Sequence, residues 1–264
     1  MELLLILLVV SATFVLLVLS FKFRKHKPGK MKPLPLPYKK LLSTHVDFYK
    51  ILDNSEKLLF EKRMQQFLSR IRITGIKTDV DDLDKVYIAA SAIIPIFKFP
   101  DWEYINLNEV LLYPDSFSED FELEGSGRNM LGLVGTGPYQ NIMILSKTEL
   151  RNGFTNKTSK QNTAIHEFVH LIDKTDGEVD GIPEVLLSKQ YVLPLLDLVQ
   201  RKIKQIIDED SDINPYGATS RAEFFAVASE YFFEKPDLLQ SKHPELYQML
   251  IKIFQHHPQN SSAS

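Results

Sequence analysis

The chain has no cysteine, and this absence excludes disulfide bonds, thiolate nucleophiles and cysteine metal ligands. A metal site in this protein must therefore use His, Asp or Glu side chains. An excess of positive charge is also missing, because 31 basic residues are balanced by 34 acidic ones. The composition therefore gives no support to a nucleic-acid partner. With 44% hydrophobic and 25% charged residues, the chain is too apolar to be disordered as a whole.

Long hydrophobic runs are absent except at the amino terminus, where residues 3–21 are uncharged and mostly apolar. This is about the length that a helix needs to cross a bilayer. Only one charged residue, Glu2, precedes the run. The basic residues that follow it are Lys22, Arg24, Lys25, Lys27 and Lys30. Because positive residues stay on the cytoplasmic side, residues 1–32 are predicted to be a single-pass anchor with its basic flank, and the rest of the chain cytoplasmic.

The stretch "KPGKMKPLPLPYKK" after the run is rich in proline and lysine, and its prolines at 33, 35 and 37 predict an extended spacer. We predict a folded domain over residues 33–258. The last residues, 259–264, are small and polar and are predicted to be a disordered tail.

Two apolar segments in the first half of the domain predict helices. "DNSEKLLFEKRMQQFLSRI" has a helical stripe, with Asp53 and Glu56 spaced as a capping pair. "DDLDKVYIAASAIIPIFKF" is almost wholly apolar after its acidic start, which is typical of a buried helix, and Pro95 is expected to kink or end it.

Short strands are predicted next, followed by helices. "NEVLLYP" and "NIMILSK" are apolar runs of strand length, and "GSGRNMLGLVGTG" between them is predicted to be a hairpin or a loop at the rim of a cleft. Four further helices are predicted over residues 158–174, 183–207, 219–234 and 243–256. Strands early and helices late favour an α+β fold.

The segment "HEFVH" places His166 and His170 four residues apart on a predicted helix, with Glu167 beside the first. Residues at i and i+4 share one helix face, so both imidazoles can reach one point. In this HExxH pattern the two histidines hold zinc and the glutamate handles the proton of a water. Burying two imidazoles and a carboxylate without partners would be costly, which favours a metal site over a packing helix.

A third ligand must come from elsewhere, since no further histidine follows at the spacing of a single-helix site. The helix in "ATSRAEFFAVASEYFFEKPD", capped by Thr219 or Ser220, offers Glu223 and Glu230, two turns apart on one face. Spacing leaves open which of them binds metal and which supports a histidine. Glu234, near the helix end, is predicted to be solvated.

Three segments, "HEFVHLID", "YGATSRAEFFAVASEYFFEKPDLL" and "NEVLLYPDSF", resemble the Mlc titration factor A family of zinc peptidases over roughly residues 38–258. The resemblance implies one zinc ion held by His166, His170 and Glu223, with Glu167 as general base. It also implies that Tyr216 stabilises the transition state and that Glu230 lies behind the ligands. The implied fold is gluzincin-like: a small twisted sheet whose edge strand, "NIMILSK", lines the cleft.

The expected function is zinc-dependent hydrolysis of peptide bonds, aminopeptidase cleavage included, at the membrane. The alternative is a metal-stabilised binding module that sequesters a transcriptional regulator with little hydrolysis. Asp173, one turn past His170, is expected to orient a ligand or cap the helix. The remaining histidines are predicted to be exposed. They are His26, His45, His243, His256 and His257.

Overall fold

The computed structural model describes residues 33–118, 123, 130–135 and 137–255. Its helices are α1 (Leu36–His45), α2 (Asp47–Lys50), α3 (Asn54–Arg70), α4 (Asp82–Ile96), α5 (Lys147–Thr155), α6 (Thr163–Asp173), α7 (Val192–Ile207), α8 (Arg221–Glu234), α9 (Pro236–Lys242) and α10 (Pro244–Phe254). Its strands are β1 (Arg72–Gly75), β2 (Glu109–Tyr113), β3 (Gly132–Val134) and β4 (Ile142–Ser146). The predicted anchor over 1–32 and the predicted tail over 259–264 lie outside the described residues. Within those residues, no helix has both the length and the apolar character needed to cross a bilayer.

The four strands form one mixed sheet in the order β1-β2-β4-β3. β1, β2 and β4 are parallel, and β3 runs antiparallel to β4. The prediction that "NIMILSK" forms the edge strand is therefore wrong, because this segment is β4 and has a neighbour on each side. The edge is β3, which lies in the glycine-rich segment that was predicted to be a hairpin or loop. A strand of three residues, of which the first is a glycine, is too short for a period-2 pattern to be recognised.

Capping explains where the two early helices begin. The carboxylate of Asp53 accepts hydrogen bonds from the backbone of Ser55 and Glu56, and the Glu56 side chain accepts from the Asp53 backbone, as predicted. Asp81 and Asp84 form the same box at the start of α4. Such caps stabilise a helix by about 1 kcal/mol each.

α4 is the central helix of the core, and all of its residues from Val86 onward are buried. Pro95 lies in its last turn and the helix ends one residue later, which confirms the expectation that this proline would end it. The carbonyls left free at that end are buried, and the guanidinium of Arg63 donates to the Ile96 and Phe97 oxygens. This buried cation thereby replaces the hydrogen bonds that the helix end lacks.

The α+β class predicted from the sequence is confirmed, although some elements differ. β1, α1, α2, α5 and α9 were not predicted, and the helix predicted over 158–174 begins only at Thr163. The helix predicted over 183–207 begins only at Val192, because Pro194 fits the first turn of a helix but would break one that started at 183. Pro37, predicted to be part of an extended spacer, instead lies in the first turn of α1 for the same reason.

Candidate metal centre

The start of α6 is fastened to α8 through the cap residue Asn162. Its side-chain oxygen caps the helix by accepting from the Ile165 amide at 3.2 Å. Its backbone amide donates to Glu230 at 2.6 Å, and its side-chain amide donates to Glu234 at 2.8 Å. The prediction that Glu234 is merely solvated is therefore wrong, and burial raises the pKa of this carboxyl to about 7.

Three donor atoms from α6 and α8 meet at one point. The Nε2 atoms of His166 and His170 lie 3.0 Å apart. An oxygen of Glu223 lies 2.9 Å from the first nitrogen and 3.3 Å from the second. These three side chains are therefore brought together as the spacing and the resemblance imply, with all three atoms within 4.8 Å of one another.

Glu223 owes its position to the start of α8. Ser220 caps this helix, because its hydroxyl accepts a hydrogen bond from the Glu223 amide at 3.1 Å. Of the two predicted caps, Thr219 and Ser220, the second is therefore the one observed. The start of α8 also lies close to Gly181, which is in the loop after α6. A Cβ added to Gly181 would come within 2.5 Å of the backbone oxygen of Arg221. Asp173 holds that loop by accepting from the Gly181 amide at 2.9 Å. Asp173, the last residue of α6, thus ties this helix to the loop that touches the start of α8.

The chemistry of the donor set fits a small divalent cation. His166 Nδ1 lies 2.7 Å from a Glu230 oxygen, and because a carboxylate accepts, that nitrogen carries the proton. The lone pair of His166 Nε2 then faces the carboxylate oxygen of Glu223, which also has no proton to donate. Donors about 2.1 Å from a tetrahedral zinc lie about 3.4 Å from one another, close to the spacing observed.

The electrostatics of the centre also call for positive charge between these groups. Burial opposes a charged His166, but hydrogen bonds to Glu223 and Glu230 outweigh it and raise the pKa of this imidazole to about 10. Burial likewise disfavours the Glu223 carboxylate, yet the two imidazoles lower the pKa of Glu223 to about 2. Without a metal, a proton bound to His166 would supply the positive charge between these groups.

Glu167 is buried beside this centre without being one of the three donors. Burial raises the pKa of its carboxyl, and the carboxylates of Glu223 and Glu230 act in the same direction. The side chain lies against the backbone of Gly132, where a Cβ would come within 2.6 Å of it. Glu167 therefore stands between the three donors and the edge strand β3.

Tyr216 lies in a short 3-10 helix, Pro215–Ala218, whose start is capped by the side chain of Asn214. Its ring centroid is 6.1 Å from that of His166, and 52% of the residue is exposed. Burial of its hydroxyl raises the pKa of Tyr216, and the nearby carboxylates of Glu223 and Glu167 add to this. The phenol therefore stays protonated and is able to donate a hydrogen bond at neutral pH.

A cavity of about 480 Å³ opens beside these groups. His166, Glu167 and Tyr216 line it together with β3 and α5. Polar side chains of α5 and the loop after it form the opposite wall. They are Glu149, Asn152 and Asn156. The volume is sufficient for several atoms of a peptide chain next to the three donors.

One cluster of charged residues near the site was not predicted. Asp212 accepts from His243 Nε2 at 2.7 Å, and its other oxygen pairs with Lys160 at 2.9 Å and Lys242 at 3.0 Å. The Tyr231 hydroxyl of α8 donates to that same oxygen at 2.9 Å. The cluster ties the chain before the Tyr216 turn to α8 and to the loop that leads into α6.

The prediction that His243 is exposed is wrong, because it is only 6% exposed in this cluster. Asp212 stands in an acidic stretch, "DEDSD", that is typical of a solvated loop, so the sequence carries no signal for its ion pairs with Lys160 and Lys242. His45 is half-buried rather than exposed and its ring meets the edge of Tyr87. The other three histidines predicted to be exposed lie outside the described residues.

Comparison with known proteins identifies relatives that match most of the chain. Mlc titration factor A of Escherichia fergusonii is 30% identical over 209 residues, which cover 74% of this chain and 77% of the relative. Mlc titration factor A of Pectobacterium atrosepticum is 28% identical over 208 residues, covering 73% and 76%. The Synechocystis protein slr2042 is 28% identical over 242 residues, covering 84% and 85%.

The profile of one metallopeptidase family matches residues 20–255, which is most of the chain. The resemblance to Mlc titration factor A found in the sequence is thereby confirmed, and the helical domain with its small mixed sheet is consistent with a metallopeptidase. The chain belongs to the glucose-regulated metallo-peptidase M90 family.

Proposed function

We propose that this protein is a zinc-dependent peptidase whose cleft lies between β3 and the helices α5, α6 and α8. The observation that carries the proposal is the meeting of two imidazoles and one carboxylate, with donor distances of 2.9, 3.0 and 3.3 Å, beside a buried glutamate that is not a donor. A purely structural zinc site closes its coordination with protein ligands and has no use for such a glutamate.

His166, His170 and Glu223 are the residues that would hold the zinc ion. When bound, zinc supplies a Lewis acid that polarises the scissile carbonyl and makes water more acidic. Glu230 fixes the ring of His166 through its hydrogen bond to Nδ1, so that Nε2 presents its lone pair. The absence of cysteine and the hard carboxylate ligand favour zinc in a hydrolytic site over a thiolate structural site.

Glu167 is the proposed general base. Its buried carboxylate accepts a proton from the attacking water and passes it to the leaving amine. Burial raises the pKa of this group, which makes it a better proton acceptor than an exposed glutamate. Tyr216 donates a hydrogen bond to the oxyanion that develops on the carbonyl, and a preorganised donor of this kind contributes about 3 kcal/mol to catalysis.

The substrate is proposed to be an extended peptide or protein segment that pairs with β3. The Leu131 oxygen accepts from Ser146, and the Gly135 amide donates to Ile142, both at 2.9 Å. Because antiparallel hydrogen bonding alternates along a strand, the backbone groups of Gly132 and Val134 face away from β4. A peptide added there as a further strand would lie beside Glu167, as in a gluzincin-like cleft.

The decisive test of this function is the exchange Glu167→Gln, which keeps the shape of the side chain but removes its basicity. We expect the variant to bind zinc with wild-type stoichiometry and to lose hydrolysis of a peptide panel by about 100-fold or more. Wild-type activity should disappear with a chelator and return with zinc. A Glu167→Gln enzyme that hydrolyses peptides at the wild-type rate would refute the role.

Aminopeptidase cleavage is a finer proposal about the same cleft. Amino-acid anilides and free peptides, each compared with its N-acetylated form, distinguish the alternatives. An aminopeptidase loses activity when the amine is blocked, whereas an endopeptidase cleaves both forms.

We also propose that the protein is a single-pass membrane protein with its peptidase domain, residues 33–258, in the cytoplasm. The support is the apolar run over 3–21 and the basic residues that follow it. A protease added to sealed vesicles with the cytoplasmic face outward should digest the domain, and the opposite orientation should protect it. Protection in the first vesicles and digestion in the second would contradict the orientation.

A second candidate function is capture of a regulatory protein with little hydrolysis. It is favoured by the name of the relatives, Mlc titration factor A, which describes the titration of Mlc. For this chain the proposed partner is a transcriptional regulator. The Glu167→Gln variant separates the two functions, because capture would survive the exchange and peptide hydrolysis would not.

A further inference from the structure

Gly132 is the first residue of β3, and it has no side chain to fill the space on the α6 side of the sheet. Side chains alternate along a strand, so positions 132 and 134 face one side and Leu133 the other. Val134 packs into the main core, and Leu133 packs with the smaller cluster around Phe117. At position 132 the corresponding space is filled by the side chain of Glu167.

The contact between Gly132 and Glu167 leaves no room for a methyl group. A Cβ built on Gly132 would lie 2.6 Å from both Cγ and Oε1 of Glu167, and 2.8 Å from Cδ. Carbon atoms in contact are normally about 3.5–4.0 Å apart. The clash includes Cγ, which is close to the helix backbone, so rotation of the carboxylate alone would not relieve it.

The two partners differ in how easily they can move. Glu167 is 6% exposed, but it lines the cavity, so its carboxylate can turn into that space. β3 is held to β4 on both sides of Gly132, by the Leu131 oxygen and by the Gly135 amide. A side chain at 132 would therefore displace the Glu167 carboxylate before it displaced the strand.

We propose that Gly132 is a positioning residue for Glu167: the missing side chain lets the edge strand lie directly against the carboxylate. The same residue presents its backbone to the outer edge of the sheet that the described strands form, so the proposed substrate strand and the proton acceptor meet at Gly132. The catalytic consequence rests on the proposed function of Glu167, whereas the contact itself does not.

The test begins with Gly132→Ala and a matched control, Gly217→Ala. Gly217 lies near the same cleft, but its Cβ would find its nearest neighbours at 3.5 Å, an ordinary contact distance. We expect Gly132→Ala to keep its zinc and to lose about 100-fold in kcat, as expected when a catalytic group is misplaced by about 1 Å. Gly217→Ala should keep kcat and zinc near wild type. Wild-type kcat in Gly132→Ala would overturn the proposal.

A double-mutant cycle tests the contact without relying on hydrolysis. Gly132→Ala should lower the midpoint of thermal unfolding in the wild-type background and not in a Glu167→Ala background, where the added methyl has space. A Gly132→Ala protein that fails to fold but is rescued by Glu167→Ala would also support the contact. The same loss in both backgrounds, or no rescue, would overturn it. If the wild type hydrolysed nothing, the proposed function would fail while this cycle still decided the contact.

Discussion

Exchange of Glu230 for glutamine should weaken zinc binding, although Glu230 is not one of the three donors. One of its oxygens accepts from His166 Nδ1 at 2.7 Å and the other from the Asn162 amide at 2.6 Å. Glutamine has one carbonyl oxygen and one NH₂ group, so one of the two donors would face another donor. Either the ring of His166 turns away or the start of α6 loosens.

The size of this effect follows from the burial of the carboxylate. Glu230 is 5% exposed, so a water molecule would replace the lost acceptor poorly. A hydrogen bond to a charged group contributes about 1.5–3 kcal/mol. Loss of the group that orients a metal-binding histidine weakens metal binding about 10- to 100-fold. We therefore expect the zinc dissociation constant to rise by about 10- to 100-fold.

The assay is zinc titration in competition with a chromophoric chelator, and Glu234→Gln provides the matched control. Glu234 lies one turn further along α8 and accepts one hydrogen bond, from the Asn162 side chain at 2.8 Å. A glutamine oxygen can accept the same bond. Burial raises the pKa of Glu234 to about 7, so its carboxyl is partly protonated at neutral pH. The neutral glutamine side chain resembles this protonated form. Wild-type zinc affinity in Glu230→Gln, or equal losses in both variants, would refute the reasoning.

Two further predictions concern Tyr216 and Asp212. Tyr216→Phe should lower kcat about 100- to 1,000-fold with zinc content unchanged, and an undiminished kcat would exclude the hydroxyl from catalysis. Burial raises the pKa of Asp212, but hydrogen bonds from Lys160, His243 and two other neighbours lower it further than burial raises it. The carboxylate therefore stabilises the fold above its unfolded pKa of about 3.9 and loses this contribution as pH falls towards the lower folded value. Asp212→Asn should cost about 2 kcal/mol in the free energy of unfolding at pH 7 and progressively less below about pH 4, and a cost independent of pH would contradict this.

The helix that carries the histidines could be predicted from the sequence because its signal is local. His166 and His170 are one turn apart, and this spacing alone puts both imidazoles on one face. No local signal in the sequence shows whether Glu223 or Glu230 binds the metal. Spacing placed both on one face of α8, and only the resemblance to a family separated them, because the angle at which α8 packs on α6 is a tertiary property.

The edge strand and the buried polar groups could not be predicted for a related reason. β3 has three residues, and its pattern is interrupted by the glycine that makes room for Glu167. Glu234 and His243 look like ordinary surface residues in the sequence, but Glu234 is half-buried and His243 is buried, and each contacts a partner far along the chain, Asn162 and Asp212 respectively. A glycine within a strand often marks a site where another part of the chain approaches closely, and Gly132 was such a sign of the contact with Glu167.

The central claim, that His166, His170 and Glu223 bind one zinc ion, is tested most directly by anomalous diffraction at the zinc edge from a zinc-loaded crystal. The account predicts a single strong peak about 2.0–2.2 Å from the Nε2 atoms of both histidines and from a Glu223 oxygen. A peak coordinated by other residues, or a Glu223 carboxylate that remains out of bonding distance of the ion, would contradict it.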